Sequence, residues 1–220
     1  MDWPIIGILI PTFNRPTIVA RTVELLRANL SYSGEIEYYV SEDSAETVVD
    51  INASDVQVLR GPQRGLGANL NFLLRTCPHT ILMQMDDDHH LIASLVLDKL
   101  VNHLMNEPDA GWMRLMGVGF HNYRATLNGV YWYVDWESPG IYIPSNRPHI
   151  KHRRFIEAYG FYPEGLKLGA TEEGYCHQCK NRAIQLRMAS MPAPKVLVPL
   201  EVATEDSWLH VGDSYQNYGY

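Results

Sequence analysis

Thr80-Ile81-Leu82-Met83-Gln84-Met85-Asp86-Asp87-Asp88 is the stretch that decides the fold. Its first six residues form a short, largely apolar run, the pattern of a strand covered on both faces. Three aspartates follow at once. Outward from this point the same kind of run recurs. Ile5 to Ile10 (IIGILI), closed by Pro11, reads as a first strand, Glu35 to Val40 as a second and Val56 to Leu59 as a third. Helical patterns lie between them. Pro16 suits a first helical position with Asn14 upstream as a cap candidate, and Val19, Val23, Leu26 and Leu30 make one stripe. Gly65 and Gly67 punctuate the turn into a helix marked by Leu66, Leu70, Leu73 and Leu74, and Leu95, Leu100 and Leu104 mark a third. Strands alternating with helices at these lengths predict an α/β fold with a mainly parallel, doubly wound sheet. Beyond residue 105 the character changes. Gly111 to Gly119 and Val130 to Trp136 read as strands, Ser138 to Pro148 as a loop, Glu172 to Arg187 as a helix, and Val196 to Val198 as a late strand. No linker or repeat divides the chain, so residues 1–220 are expected to form one domain.

Composition narrows the function. Of 220 residues, 46% are hydrophobic and 20% charged, which excludes a disordered tail, a collagen and a coiled coil. Eighteen Lys and Arg stand against 25 Asp and Glu, a formal net charge of -7, which argues against global attraction to nucleic acid or anionic lipid. No apolar run reaches the ~18 residues of a membrane span. Met1-Asp2-Trp3-Pro4 lacks the basic start of a secretory signal. Three cysteines make no disulfide framework. A cytoplasmic protein is therefore expected. Cys176 and Cys179 share one helical face, and with only Cys77 as a third thiol they are expected to pack in the core rather than bind zinc.

Three adjacent carboxylates at the end of a buried strand repel one another. A divalent cation offsets that repulsion, and hard oxygen ligands select Mg²⁺, Mn²⁺ or Ca²⁺. Ligands of open α/β sheets collect at the carboxyl ends of the strands. In extended chain Asp86 and Asp88 point to one side and Asp87 to the other. The competing reading is a polar turn whose aspartate caps the next helix.

Several motifs occur in a familiar order. Pro11-Thr12-Phe13-Asn14-Arg15 resembles a P-T-Y-N-R loop, and Ser41-Glu42-Asp43-Ser44 a D-D-G-S turn. Arg64 to Asn71 (RGLGANLN) resembles an N-x-G-x-x-x-A-R-N segment, and Asp86-Asp87-Asp88 a D-x-D metal motif. Together they resemble the family 2, GT-A-type nucleotide-sugar glycosyltransferases, well over residues 5 to 105 and more weakly beyond. Thr171-Glu172-Glu173 resembles the E-D base motif, and His210-Val211-Gly212-Asp213-Ser214 a late H-x-G-x-S element. The resemblance implies a GT-A α/β/α domain with a nucleotide-sugar-binding half (1–105) and an acceptor-binding half (106–220). It implies an inverting transfer from a UDP-sugar with Mn²⁺ or Mg²⁺. It assigns Pro11, Thr12, Asn14 and Arg15 to the base and ribose, Asp43 to a base N–H, and Arg64 to base or phosphate. Asp86 and Asp87 fall to the donor, Asp88 with Asp86 to the metal, and His210 to a third metal position. Glu173 aligns with the general base, Glu172 standing in reserve. Of His89 and His90, at most one is expected to reach the site. Ser44 and Ala45 replace the family's Gly and Ser, and Leu70 its Arg.

The cluster His149 to Arg154 (HIKHRR) reads either as a solvated face or as a patch for an anionic acceptor or the diphosphate. With a modified nucleic-acid base as acceptor, it would contact phosphates. Tyr131, Trp132, Tyr133 and Trp136 suit a stacking platform or a core. A glycan or another hydroxyl compound is the expected acceptor. Two other functions compete: a nucleotidyltransferase making an NDP-sugar, whose Gly-rich loop is missing after the first strand, and a non-catalytic sugar-nucleotide or glycan-binding module.

Overall fold

The computed structural model describes residues 2–116, 125–138, 144–199 and 207–211. The first half holds β1 (Ile6–Thr12), α1 (Pro16–Asn29), β2 (Leu30–Ser31), β3 (Ile36–Glu42), β4 (Val56–Arg60), α2 (Leu66–Thr76) and β5 (Ile81–Gln84). There follow β6 (His89–Leu91), β7 (Leu95–Val96), α3 (Asp98–Asn106), β8 (Ala110–Arg114), β9 (Ala125–Asn128), β10 (Tyr131–Val134) and β11 (His149–His152). The last described elements are α4 (Arg154–Tyr159), α5 (Leu168–Met188), β12 (Lys195–Pro199) and β13 (Trp208–His210).

Among the described residues, one nine-stranded sheet runs in the order β4-β3-β1-β5-β11-β8-β12-β10-β9. The four strands of the first half pair in parallel. β11 then enters antiparallel between β5 and β8, β12 returns parallel to β8, and β10 and β9 close the edge antiparallel. All seven residues of β1 are buried, because both sheet faces are covered. Alternation divides the core in two. Ile6, Ile8, Ile10, Ile81 and Met83 pack with Val19, Val23 and Leu26 of α1 and Leu100, Val101 and Leu104 of α3. Leu9, Leu82 and Trp112 pack on the other face with Leu70, Leu73 and Leu74 of α2, Phe155 and Tyr159 of α4, and Tyr175 and Cys179 of α5.

Local expectations shift at several points. Pro16 does open α1, but the residue before it, Arg15, is the cap and makes no side-chain cap bond; Asn14 lies one further out at φ 56°. Leu30 and Leu95, read as helical, pair with each other in the short parallel β2–β7 ladder. β8 ends at Arg114, and the remainder of the strand expected to Gly119 falls mostly outside the described residues. Tyr131 and Tyr133 are buried in one core and Trp136 in the other, so no aromatic platform forms there. Cys77, Cys176 and Cys179 form no disulfide and are buried, as packing requires.

The first half of the basic cluster is interior and the partly exposed arginines of the second half are engaged with the backbone, which is neither of the surfaces expected of it. His149, Ile150 and Lys151 are fully buried in mid-sheet. Arg153 donates to the carbonyls of Leu74 (3.1 Å), Cys77 (2.5 Å) and His79 (2.9 Å), the frayed acceptors at the end of α2. Arg154 does the same for Leu104 (2.8 Å) and Glu107 (3.1 Å) at the end of α3. These cations sit where helix dipoles are negative.

Candidate metal and donor site

The parallel register sets Thr12 beside Glu42 and Leu9 beside Gln84, so β1, β3 and β5 end at one edge of the sheet. Such an edge is where an open α/β sheet binds ligands. Two features line it: a carboxylate cluster after β5 and a cavity after β1 and β3.

The chain turns after Gln84, so the three aspartates do not alternate as an extended strand would. Asp87 and Asp88 converge on Arg15. Its Nη1 lies 3.2 Å from Asp87 Oδ1 and 2.9 Å from Asp88 Oδ2, all three side chains being buried. Thr12 adds a 2.5 Å hydroxyl bond to Asp87 Oδ2, and the Thr22 hydroxyl meets the Asp87 carbonyl. Burial pushes the Asp87 carboxyl up to about 6 against the pull of Thr12 and Arg15. Thr12 and Arg15, assigned to base and ribose, are thus turned onto the aspartates. Pro11 is a buried residue of β1.

Asp88 is the hub. Oδ1 lies 3.3 Å from His89 Nδ1, and Oδ2 lies 3.4 Å from His210 Nε2. Burial works to raise its pKa, but His89, then His210 and Arg15, outweigh it and hold the carboxyl below its ordinary range. β6 and β13 place the two histidines. They pair antiparallel with His89 directly across from His210, and the ring centroids are 5.0 Å apart. Trp208 pins β13 by donating from its buried indole to Leu115 O at 3.0 Å, and the Val211 N–H bonds Asp88 O at 3.0 Å. Asp88, His89 and His210 each offer a ligand atom, all within 4.8 Å of one another. Asp88 Oδ1 and His89 Nδ1 are both buried without a hydrogen-bond partner, so the donor set fits a cation. Asp86 is not in this group. Its carboxyl is raised well above the ordinary value, by burial first and then by Asp88, Asp87 and Glu172. His90 faces away and is buried, its pKa lowered by that burial. The Gly212, Asp213 and Ser214 positions lie outside the described residues.

Glu172, not Glu173, faces the cluster. α5 starts at Leu168, so the acid pair lies in the helix body rather than at its N-terminus. Successive helical side chains point about 100° apart, so only one of two neighbours can look inward. Thr171, Tyr175, Cys176 and Cys179 define the buried face, and Glu172 lies with them. The Asn146 N–H holds its Oε1 at 2.8 Å. Burial raises its pKa, against the Asn146 bond and the positive charges of Arg147 and Arg114. Glu173 is half exposed and lies 3.7 Å from His177. The i, i+3, i+4 pattern of 172, 175, 176 and 179 was the available signal.

The cavity measures about 320 Å³ and is lined by Phe13, Asn14, Asp43, Ser44, Thr47 and Gln63, among others. Asp43 is its buried acid. The backbone N–H groups of Gln63 and Gly65 bond Oδ1 at 2.6 Å and Oδ2 at 2.9 Å. Gly65 adopts φ 88°, which glycine favours, and that turn is what aims its N–H at Asp43. Glu42 receives the N–H groups of Asn14 (3.0 Å) and Ser44 (2.8 Å), and the Thr47 hydroxyl bonds Asn14 Oδ1 at 2.5 Å. Arg64 does not line the cavity; it makes an exposed 2.8 Å pair with Glu164.

The sequence model of Glycosyl transferase family 2 matches residues 7–164, well over half of the chain. A comparison with curated proteins finds no match. Among solved structures, the mannosyltransferase PcManGT of Pyrobaculum calidifontis, in complex with GDP-Man and Mn²⁺, superposes with a TM-score of 0.62 at 15% identity, covering 98% of this chain and 59% of that one. TarS of S. aureus (residues 1–349) gives a TM-score of 0.64 at 18% identity, covering 92% and 59%. Its complex with UDP-GlcNAc gives 0.61 at 18%, covering 98% and 62%. The chain therefore spans about three-fifths of the length of these structures. The likeness is one of fold.

Proposed function

The chain belongs to glycosyl transferase family 2, and from that premise we propose that it moves a sugar from a UDP-sugar to an acceptor hydroxyl with inversion, with Mn²⁺ or Mg²⁺ at Asp88 and Glu172 as general base. One observation carries the reading: Asp86 stands within electrostatic reach of both Asp88 and Glu172 at the sheet edge that also opens the Asp43 cavity. The neighbours' complexes with UDP-GlcNAc and with GDP-Man and Mn²⁺ support a nucleotide-sugar donor.

In this reading the base enters the cavity, where Asp43 keeps lone pairs for an imide N–H while two backbone N–H groups fix its orientation. Asp88 and His210 would hold the cation, which when bound supplies charge to stabilise the departing diphosphate. Arg15 holds Asp87 and Asp88 ionised and in place. Glu172 takes the acceptor proton; its raised pKa makes it a stronger base than an exposed glutamate, and the Asn146 N–H fixes its direction. A glycan or other hydroxyl compound is the acceptor. A modified nucleic-acid base loses support, because Lys151 of the cluster meant for phosphates is buried and Arg153 and Arg154 are engaged with backbone carbonyls.

The test is a product assay with UDP- and GDP-sugars and Mn²⁺. Release of UDP coupled to saccharide transfer is the expected result. Pyrophosphate release would assign nucleotidyl transfer instead, and donor binding without any release would leave a binding module. Thermal shift by UDP-sugars greater than by GDP-sugars supports the base assignment.

A further inference from the structure

We infer that His89 is a third protein ligand of the cation, giving a two-imidazole, one-carboxylate site that favours Mn²⁺ and its borderline neighbours over Mg²⁺. The inference deepens the donor-site reading above and takes its functional meaning from it. His89 belongs to neither the aspartate motif nor the late histidine element; it is the first residue of β6.

Three observations point to it. The first is the cross-strand pairing of His89 with His210, which presents two imidazoles from neighbouring strands to one side. The second is distance. Ligand atoms bound at ~2.1 Å around one ion lie ~3.0–3.4 Å apart along the edges of its polyhedron. Asp88 Oδ1 lies 3.3 Å from His89 Nδ1 and Oδ2 lies 3.4 Å from His210 Nε2, and one ligand atom of each of the three residues lies within 4.8 Å of the others, so side-chain adjustment closes the set around an ion. The third is that His89 Nδ1 and Asp88 Oδ1 face each other buried and unpartnered. They form a 3.3 Å ion pair and have no further hydrogen-bond partner, so a cation can enter between them without displacing another bond.

The donor set determines the ion. Mg²⁺ takes oxygen ligands in a strict octahedron and keeps its waters, whereas imidazole suits the first-row transition ions, among which Mn²⁺ binds nitrogen most weakly and still prefers oxygen. Two nitrogens against one oxygen place this site with the second group. Three protein ligands leave open positions for diphosphate oxygens.

The experiment titrates the intact chain with Mn²⁺ alone, following loss of the free-ion EPR signal, with Mg²⁺ as competitor. Pulsed EPR then counts nitrogen couplings on bound Mn²⁺. Wild type should show two imidazole nitrogens, and a large excess of Mg²⁺ should be needed to displace the ion. His89→Gln should show one nitrogen and bind Mn²⁺ at least about tenfold more weakly, with the Mn²⁺-over-Mg²⁺ preference reduced. One nitrogen or none in the wild type overturns the inference, whatever the variant does. So does a folded His89→Gln variant that binds Mn²⁺ within twofold of wild type. NDP release is measured separately. Two nitrogens without any turnover of a sugar nucleotide would sink the donor reading and leave the ligand set standing.

Discussion

Two charge runs of similar density, Asp86 to Asp88 and His149 to Arg154, meet opposite fates. The acidic run comes just after a strand ends, so its carboxylates emerge at the sheet edge where ligands bind. The basic run forms β11 itself and the start of α4, so its side chains are drawn into the sheet or onto helix termini. Arg15 neutralises part of the acidic run at a site that still holds unpartnered atoms. Arg153 and Arg154 turn three and two of their donors, respectively, onto backbone carbonyls. What a charged stretch does is decided by whether its strand has ended, not by how many charges it holds.

The largest break of this contrast is expected at Asp88. Asp88→Asn keeps the shape but removes the anionic ligand, and a metal contribution of ~4 kcal/mol to the transition state corresponds to about a thousandfold loss of turnover. Steady-state kinetics at saturating Mn²⁺ check it, with a thermal melt to show that the fold survives. A variant within tenfold of wild type would mean that the acidic run, like the basic one, is structural.

Next comes the choice between neighbours on α5. Glu172→Gln should lower kcat by about a hundredfold or more, as loss of a general base does, while Glu173→Gln stays within a fewfold. The pH profile adds a sign. The Glu172 pKa is raised, and the base must be ionised to work, so activity should fall toward acid on a limb above the ordinary carboxylate range. That limb should vanish in Glu172→Gln. Equal losses in the two variants would break the assignment by helix face.

How much of this was legible in the sequence follows from the range of each signal. The parallel half was readable because apolar runs and 3.6-residue stripes are local, and Ile6–Thr12, Leu66–Thr76 and Ile81–Gln84 fall where the pattern put them. Motif order brings Asp43, Asp88 and His210 to the sheet edge where they lie, but it also puts Asp86 with the metal ligands, and the Asp88, His89 and His210 group does not include it. The role of Arg15 was hidden, since an ion pair across 72 and 73 positions leaves no periodic trace. His89 was hidden for the same reason: only the β6–β13 pairing tells it from His90. The inward position of Glu172 is legible in its i+3, i+4 and i+7 spacing to Tyr175, Cys176 and Cys179, a signal that motif order does not carry. The basic run misled because β11 crosses the middle of the sheet, a placement set by the long-range partners β5 and β8.

Arg153 sharpens the basic side of the contrast. Arg153→Ala strips three carbonyls near the end of α2 of their donors, and part of that loss is made good by water. A destabilisation of about 2 kcal/mol is expected, read by urea unfolding, with kcat unchanged in the folded enzyme. A loss of activity without loss of stability would return this cluster to the functional site.

Lys151 gives the most specific effect, one that shows only as a change with pH. Its ammonium nitrogen is fully buried, 2.6 Å from Gln84 Oε1 and 3.3 Å from His149 Nε2, and 4.6 Å from the centre of the Trp112 ring. His149 Nδ1 faces a carbonyl and so carries the proton, leaving Nε2 to accept. Burial pulls the Lys151 pKa well below its ordinary value, with no carboxylate acting to hold it up. Between that lowered pKa and the unfolded value near ~10.4, the unfolded chain binds one proton more than the native one. Stability must then rise with pH across that window, by at most ~1.4 kcal/mol per pH unit from this group. Lys151→Met has no such group. Urea unfolding of both proteins at several pH values from mildly acid to mildly alkaline should show the wild type gaining on the variant as the pH rises. A difference that stays flat would mean the lysine remains charged inside the sheet, and that the interior of the basic run is better solvated than its burial allows.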